Sequence, residues 1–407
     1  MRKIYLCVAA LYLGIVASHA QTKALPVKDS SNYQARKLKI DEINIISAYY
    51  HQDGNNSAVT GGIGTEKLTD FANTFDLQLS KYGIGGNKHT FTFELGVDHY
   101  TSASSDKIDP YSISSASRQD TRVYPSLNWT VSNDKTGNAF GLTGSYSHEF
   151  DYQSFGGGIN LTRVSKDKNT QFDFKGQVFL DTWKVILPVE LRPPGYGSGS
   201  ERDGRGNVDH SPRNSFSTSF SISQVLTTRL QALFIIEPSY QHGLLATKYQ
   251  RDYFTDGSER VENLPGSRYK LPIAVRFNYF LDDHFVIRTF YRYYMDNWGI
   301  RAHTAELEIP IKLTSFVSVS PYYRYNNQKG TRYFAPYGQH DPTAVYYTSD
   351  YDLSTLHSSF VGANIRLSPP TGVFGWQHFN SLEIRAGHYM RSTGLNSNIV
   401  TLAMKFK

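Results

Sequence analysis

The sequence predicts an all-β protein, a porin-like transmembrane antiparallel barrel of about 16 strands. Three observations carry this. Stretches of roughly ten residues alternate apolar and polar side chains along most of the chain. The breaks between them are short and long in turn. Aromatic residues make up 14% of a chain that is only 39% hydrophobic, a composition suited to strands that face two media.

The chain opens with MRKIYLCVAALYLGIVASHA, in which Arg2 and Lys3 precede an apolar run from Ile4 to Ala17. Ser18-His19-Ala20 is a small-x-small cleavage site, with Gln21 expected to start the mature protein. Residues 1–20 are therefore expected to be a secretory signal peptide, too short for a membrane anchor. Residues 21–40 are expected to form a short periplasmic segment, and 41–407 the barrel. The one Cys, Cys7, falls inside the signal, which excludes disulfides and thiol chemistry from the expected mature chain. The net charge of +6 is spread among interleaved acids and bases, so no nucleic-acid partner is expected.

RYKLPIAVRFNYFL is the clearest strand. Tyr269, Leu271, Ile273, Val275, Phe277, Tyr279 and Leu281 share one face, and Arg268, Lys270, Ala274, Arg276 and Asn278 the other. Its apolar face carries rings near both ends and aliphatics between, the profile expected across a bilayer. The same alternation recurs at Phe71–Leu79, Phe91–Val97, Phe172–Leu180 and Val317–Tyr325. It is weak near Ile43–Tyr50 and Phe155–Arg163.

Short breaks fall near 83–88, 133–138, 165–169, 227–229, 282–284, 314–315 and at SPPTGVFGWQ; most are rich in Gly, Asn, Asp and Lys, as hairpin turns are. Between them fall longer connections at 53–69, 101–121, 181–213, 243–267 and 327–354, with brief ones near Asp151, Asn297 and Ser392. Short turns on the periplasmic side and long loops outside are the pattern of an outer-membrane barrel. The even count places both ends of the barrel on the short-turn side, and closure removes edge strands.

The last strand, NSNIVTLAMKFK, alternates Val400, Leu402, Met404 and Phe406 against Thr401, Ala403 and Lys405. It is expected to close the barrel against the first strand. The ending resembles the sorting signal that hands Gram-negative barrels to the barrel-assembly machinery, although Lys407 follows the terminal aromatic residue.

The alternation assigns a set of charges to the wet face: Glu94, Asp98, Lys175, Arg276, Arg288, Arg292, Glu306, Glu308, Arg324, Arg366, Glu383 and Arg385. Arg or Lys facing the bilayer midplane costs about 2–4 kcal/mol, so these are expected to line the lumen. In a meander, Arg288 and Arg292 are expected beside Glu306 and Glu308, and those beside Arg324. Such a set serves either as a structural salt-bridge network or as a charged pore lining. About 16 strands spaced about 4.8 Å apart and tilted about 40° enclose a diameter of about 32 Å, room for an aqueous channel. The short stretch before the first strand predicts no N-terminal plug, so any constriction is expected from a loop. Loop 181–213, with Arg192, Pro193, Pro194, Arg202, Asp203 and Arg205, is the best candidate.

Catalytic and metal signals are weak. His148-Glu149 sit on a strand and point to opposite faces, and His340-Asp341 reads as a solvated pair in a long loop. DGRGNVD at 203–209 lacks the alternating ligands and terminal Glu of a calcium loop. His99, His303, His357 and His388 fall near a membrane edge, where outer-membrane lipases place a Ser–His–Asn set, but no Ser can be assigned to them. No enzyme, cofactor or metal is expected.

SISSASRQD at 112–120 and LDTWKVILPVELRP at 180–193 give the chain a resemblance to an uncharacterised family of bacterial outer-membrane barrels, catalogued as a domain of unknown function. The resemblance implies a β-barrel without an assigned activity, and a link to extracytoplasmic redox partners. The expected function is a passive outer-membrane channel for small hydrophilic solutes, with membrane lipid and the assembly machinery as partners. The alternatives are an anchoring or assembly protein with a blocked lumen, and an outer-membrane hydrolase.

Overall fold

The computed structural model describes residues 37–83, 86–101, 119–194 and 210–407. The expected signal peptide with its Ala20–Gln21 cleavage site, and the loop residues Arg202, Asp203 and Arg205, lie outside them.

The strands begin with β1 (Lys39–Asp53), β2 (Leu68–Tyr82), β3 (Asn87–Thr101) and β4 (Gln119–Asn133). Next come β5 (Ala139–His148), β6 (Tyr152–Val164), β7 (Thr170–Lys184) and β8 (His210–Thr227). β9 runs in two segments, Leu230–Ile236 and Ser239–Gly243, followed by β10 (Ser267–Phe280) and β11 (Val286–Asp296). β12 is also split, into Arg301–Glu308 and Ile311–Lys312. β13 (Val317–Lys329), β14 (Leu356–Leu367), β15 (Phe379–Arg391) and β16 (Asn396–Phe406) complete the wall. The 18 hydrogen-bonded segments thus make the 16 strands of one closed barrel. Pro238 and Pro310 mark the two interruptions, because proline has no N–H to give the ladder.

Each strand pairs antiparallel with its sequence neighbour. β1 pairs with both β2 and β16, which closes the sheet. Ile43 lies opposite Phe406, Ile45 opposite Met404 and Tyr49 opposite Val400. The expected order of strands, turns and loops agrees with this throughout. Even the poorly alternating first and sixth segments form full strands, since closure requires a partner on each side whatever their periodicity.

The long loops hold more structure than their polar composition suggests. Loop 244–266 carries a short hairpin, Arg251–Tyr253 against Glu259–Val261. Isolated bridges tie it to loop 330–355, at Phe254–His340 and Asn263–Tyr347. Among the described residues, the apolar core cluster lies in this loop layer: Ala246, Leu264 and Trp298, packed by Leu244, Leu245, Tyr333 and Leu353. The wall sends its large apolar side chains the other way, into exposed positions such as Phe71, Phe155, Phe216, Tyr269 and Val361.

Candidate functional site

Residues directly opposite each other in antiparallel strands project to the same face. Following the register round the barrel therefore sorts the wall into two faces. Across the closure, Arg385 is opposite Thr401, Thr401 opposite Ala48, Ala48 opposite Ala72, Ala72 opposite Asp98, and Asp98 opposite Arg122. On the far arc, Asn278 is opposite Arg288 and Arg288 opposite Glu308, while Arg276–Phe290–Glu306–Arg324–Phe360 forms a second row. Arg366 is opposite Glu383, Asp76 opposite Glu94, and Lys175 lies between Asn160 and Ser219. Every charge singled out from the alternation falls on this one polar face.

Two ion pairs follow the register, and a third runs along β15. Arg288 Nη1 is 3.2 Å from Glu308 Oε2, Arg324 Nη2 is 2.6 Å from Glu306 Oε2, and Arg385 Nη2 is 3.7 Å from Glu383 Oε1. One expected pairing differs. Arg292 is opposite Thr304, to whose Oγ1 its Nη2 donates at 3.5 Å, because the β11–β12 register sets Phe290 rather than Arg292 against Glu306. Arg276 lies over the Phe290 ring at 5.5 Å. The balance of sign differs between arcs, although Glu306, Glu308 and Glu383 stand among the arginines and Arg122 lies opposite Asp98. Asp70, Asp76, Glu94 and Asp98 stand on β2 and β3, whereas the arginines concentrate on β10–β15. On the acidic arc the Tyr124 hydroxyl donates to Asp98 at 2.9 Å. Its ring covers Gly96, where a Cβ would lie 2.0 Å from the ring.

Burial separates the faces too. Ser80, Ser154, Asp181, Thr304, Ser320, Asn364, Ser381 and Ser397 are buried strand residues, and all belong to the polar face. The large exposed apolar side chains of the strands belong mostly to the other, with Ile46 as an exception. Val400, Leu402 and Met404 share that apolar face, and Phe406 stacks on Phe379 at 4.7 Å and 18°.

At the loop end of the polar face is a recess of about 410 Å³ lined by Tyr50, Phe360, Tyr389, Arg324, Arg391 and Glu66. Arg391 is buried; its Nη1 bonds Asp352, and its Nη2 is 3.8 Å from Glu66. Burial pushes the Glu66 carboxyl up to about 7. Above this sits the packed loop layer. Arg251, also buried, donates to the Val59 carbonyl at 2.8 Å and pairs with Glu190 and Glu259, so it joins three loops. Glu262, fully enclosed, accepts from Thr348 Oγ1 at 2.6 Å, and burial pushes its carboxyl up to about 8. Asp350 is raised for the same reason.

His340 corrects an expectation. It is buried rather than solvated, 3.0 Å from Ser349 Oγ and 3.4 Å from Asp252, while Asp341 caps an exposed turn. Loop–loop packing encloses it, and no local signal in the polar loop sequence announces that. The buried loop residues Arg251, Asp252 and Glu262 were missed for the same reason. The four histidines near the membrane edge lie on the apolar face: His99 meets Thr121, His303 meets Tyr291, His388 meets Asn398, and His357 packs on Tyr325. Among the described residues no serine hydroxyl bonds their rings. The cluster Asp120, Glu149 and Asp151 brings three carboxylates together, and Tyr100 donates to Glu149.

The model of a family described as "Protein of unknown function (DUF3570)" matches residues 85–368. The chain belongs to this family. No curated protein sequence matches it. Solved structures that resemble this DUF3570 barrel include Pseudomonas aeruginosa OpdK with vanillate, at 6% identity over 90% of this chain and 97% of that one, TM-score 0.41. Acinetobacter baumannii OccAB3 aligns at 9% identity over 91% and 99%, TM-score 0.39. A BenF-like porin from Pseudomonas fluorescens Pf-5 aligns at 8% identity over 90% and 98%, TM-score 0.37. Likeness at this level bears no weight on function, which rests on the residues of the DUF3570 barrel itself.

Proposed function

We propose that this protein is an outer-membrane channel for small hydrophilic solutes, with its charged face lining the lumen and its apolar face against lipid. The observation that carries the proposal is the two-faced register of a closed sheet. Side chains inside a cylinder converge and lose exposure, whereas those outside diverge. The buried Ser, Thr, Asn and Asp of the polar face, set against the exposed Phe, Leu and Tyr of the other, support polar-in and apolar-out. A barrel of this strand number commonly encloses water. Lining charges of both signs favour permeation of polar and charged solutes over apolar ones.

In this proposal no residue performs catalysis, and Val400, Leu402, Met404 and Phe406 serve assembly. Single-channel recording of the purified protein in planar bilayers is the test. Stepwise conductance is expected. A folded barrel without conductance would favour the anchoring alternative, in which the loop layer joined by Arg251 blocks the lumen.

A further inference from the structure

Arg301 of β12 lies directly opposite Met295 of β11 on one side and Lys329 of β13 on the other. All three belong to the apolar face, at the loop ends of their strands. Arg301 and Lys329 are exposed, and neither is in an ion pair among the described residues. Like charges directly opposite on a sheet repel, so this pair stands at a cost unless an anion sits between them. Arg332 brings a third positive charge nearby, its Nε and Nη2 donating to the carbonyls of Trp298 and Asn297.

A groove of about 890 Å³ runs across the same face from β6 to Arg301, with Lys329 on the next strand just beyond its lining. Gly157, Gly176, Thr218 and Pro238 form its low floor, Tyr269 stands on its rim, and Arg301 closes it. Tyr269 stacks on Tyr240 at 4.5 Å. The floor is low because two glycines contribute no side chain and Pro238 interrupts β9. The groove starts within the wall and rises to the loop end, so it is apolar along its length and cationic at its top.

We infer that this groove holds a diphosphorylated saccharolipid of the outer leaflet, with acyl chains along the glycines and a phosphate between Arg301 and Lys329. This rests on the reading that the apolar face meets lipid. The planar Arg301 guanidinium suits two phosphate oxygens, and the Lys329 ammonium adds a compact charge from the neighbouring strand. Charge complementarity selects this occupant. A second copy of the chain, offering the same pair of cations, would meet repulsion there.

The test is retention of diphosphoryl lipid A by the purified full-length barrel in neutral detergent, counted by native mass spectrometry. The same lipid stripped of its phosphates and an anionic glycerophospholipid serve as comparison arms. Wild type is expected to retain diphosphoryl lipid A in preference to both. R301Q with K329Q should lower retention about tenfold. Gly157→Leu should do so independently, by filling the groove; a Cβ there meets Val178 Cγ1 at 3.7 Å, an ordinary contact. Heat-modifiable gel migration checks folding, and the charge variant removes no packing. Equal retention of the stripped lipid or of the glycerophospholipid, or undiminished retention by the charge variant, overturns the inference. So does an oligomer that Gly157→Leu dissociates, which would make the groove a contact between copies. Conductance is recorded separately: a silent barrel that retains the lipid sinks the channel proposal and leaves this one standing.

Discussion

Met404 of β16 lies opposite Ile45 of β1, and this apolar pair sits near the short-turn end of the seam that turns an open sheet into a barrel. The seam runs from Ile43–Phe406 to Asp53–Asn396 without a register shift. Loss of apolar side chains along it weakens the step that removes both sheet edges. Phe406→Ala combined with Leu402→Ala is expected to reduce heat-modifiable, folded protein in the outer-membrane fraction several-fold, through lost seam packing and a damaged terminal pattern. Wild-type levels of folded barrel in that double variant would refute a closure and sorting role for the ending.

The pore lining predicts an ion preference. Arg276, Arg292 and Arg366 make no carboxylate ion pair among the described residues, whereas Arg288 and Arg324 each have a glutamate. Fixed positive charge raises the local concentration of anions. Replacing Arg288 and Arg292 with Gln is expected to move the reversal potential in a salt gradient towards cation preference. An unchanged reversal potential would place these residues away from the permeation path.

The loop layer predicts a pH dependence. Glu66 and Glu262, each with an ordinary value of 4.5, are raised to about 7 and about 8 by burial. Between the unfolded and folded values the folded state holds more protons than the unfolded one, so stability falls as pH rises through that window. Its full contribution is present below 4.5 and is gone above about 8. Limited proteolysis of loop 244–266 is expected to be slower near pH 5 than near pH 9, and Glu262→Gln should flatten the profile. Cleavage that slows towards alkaline pH would contradict the sign.

Arg251 predicts a local collapse. Its removal takes this ion-pair partner from Glu259 and this donor from the Val59 carbonyl, and separates three loops. Arg251→Ala is expected to destabilise the loop layer by up to about 3 kcal/mol while leaving the barrel's heat-modifiable migration intact. The measurement is hydrogen exchange across 244–266 and 330–355, and protection equal to wild type would count against the linchpin role.

Topology predicts accessibility. A single Cys at Gly257, in the exposed turn of the loop hairpin, should react with an impermeant maleimide on intact cells. Cys at Asp134 or Asp282 should not. The reverse pattern would invert the barrel.

The strand order, the turn and loop alternation, the closing role of the last strand and the two-faced wall were all legible in the sequence. Period-2 alternation is local information, and a barrel wall uses it residue by residue; the run from Tyr269 to Leu281 alone fixes which of its side chains share a face. The sequence also grouped the charges correctly by face, from Glu94 to Arg385. What it left open was register. Only the pairing of β11 with β12 decides that Arg288 meets Glu308 while Arg292 meets Thr304, since a shift of two residues preserves the alternation and changes every partner. The loops were the least legible. Their Gly, Asp and Arg content reads as solvated, yet Arg251, Asp252, Glu262 and His340 are buried. Their burial comes from segments far apart in the chain packing on one another, which only the closed barrel brings together at one end. The same holds for Arg301 and Lys329: each is an ordinary surface cation in the sequence, and only the tertiary register sets them side by side.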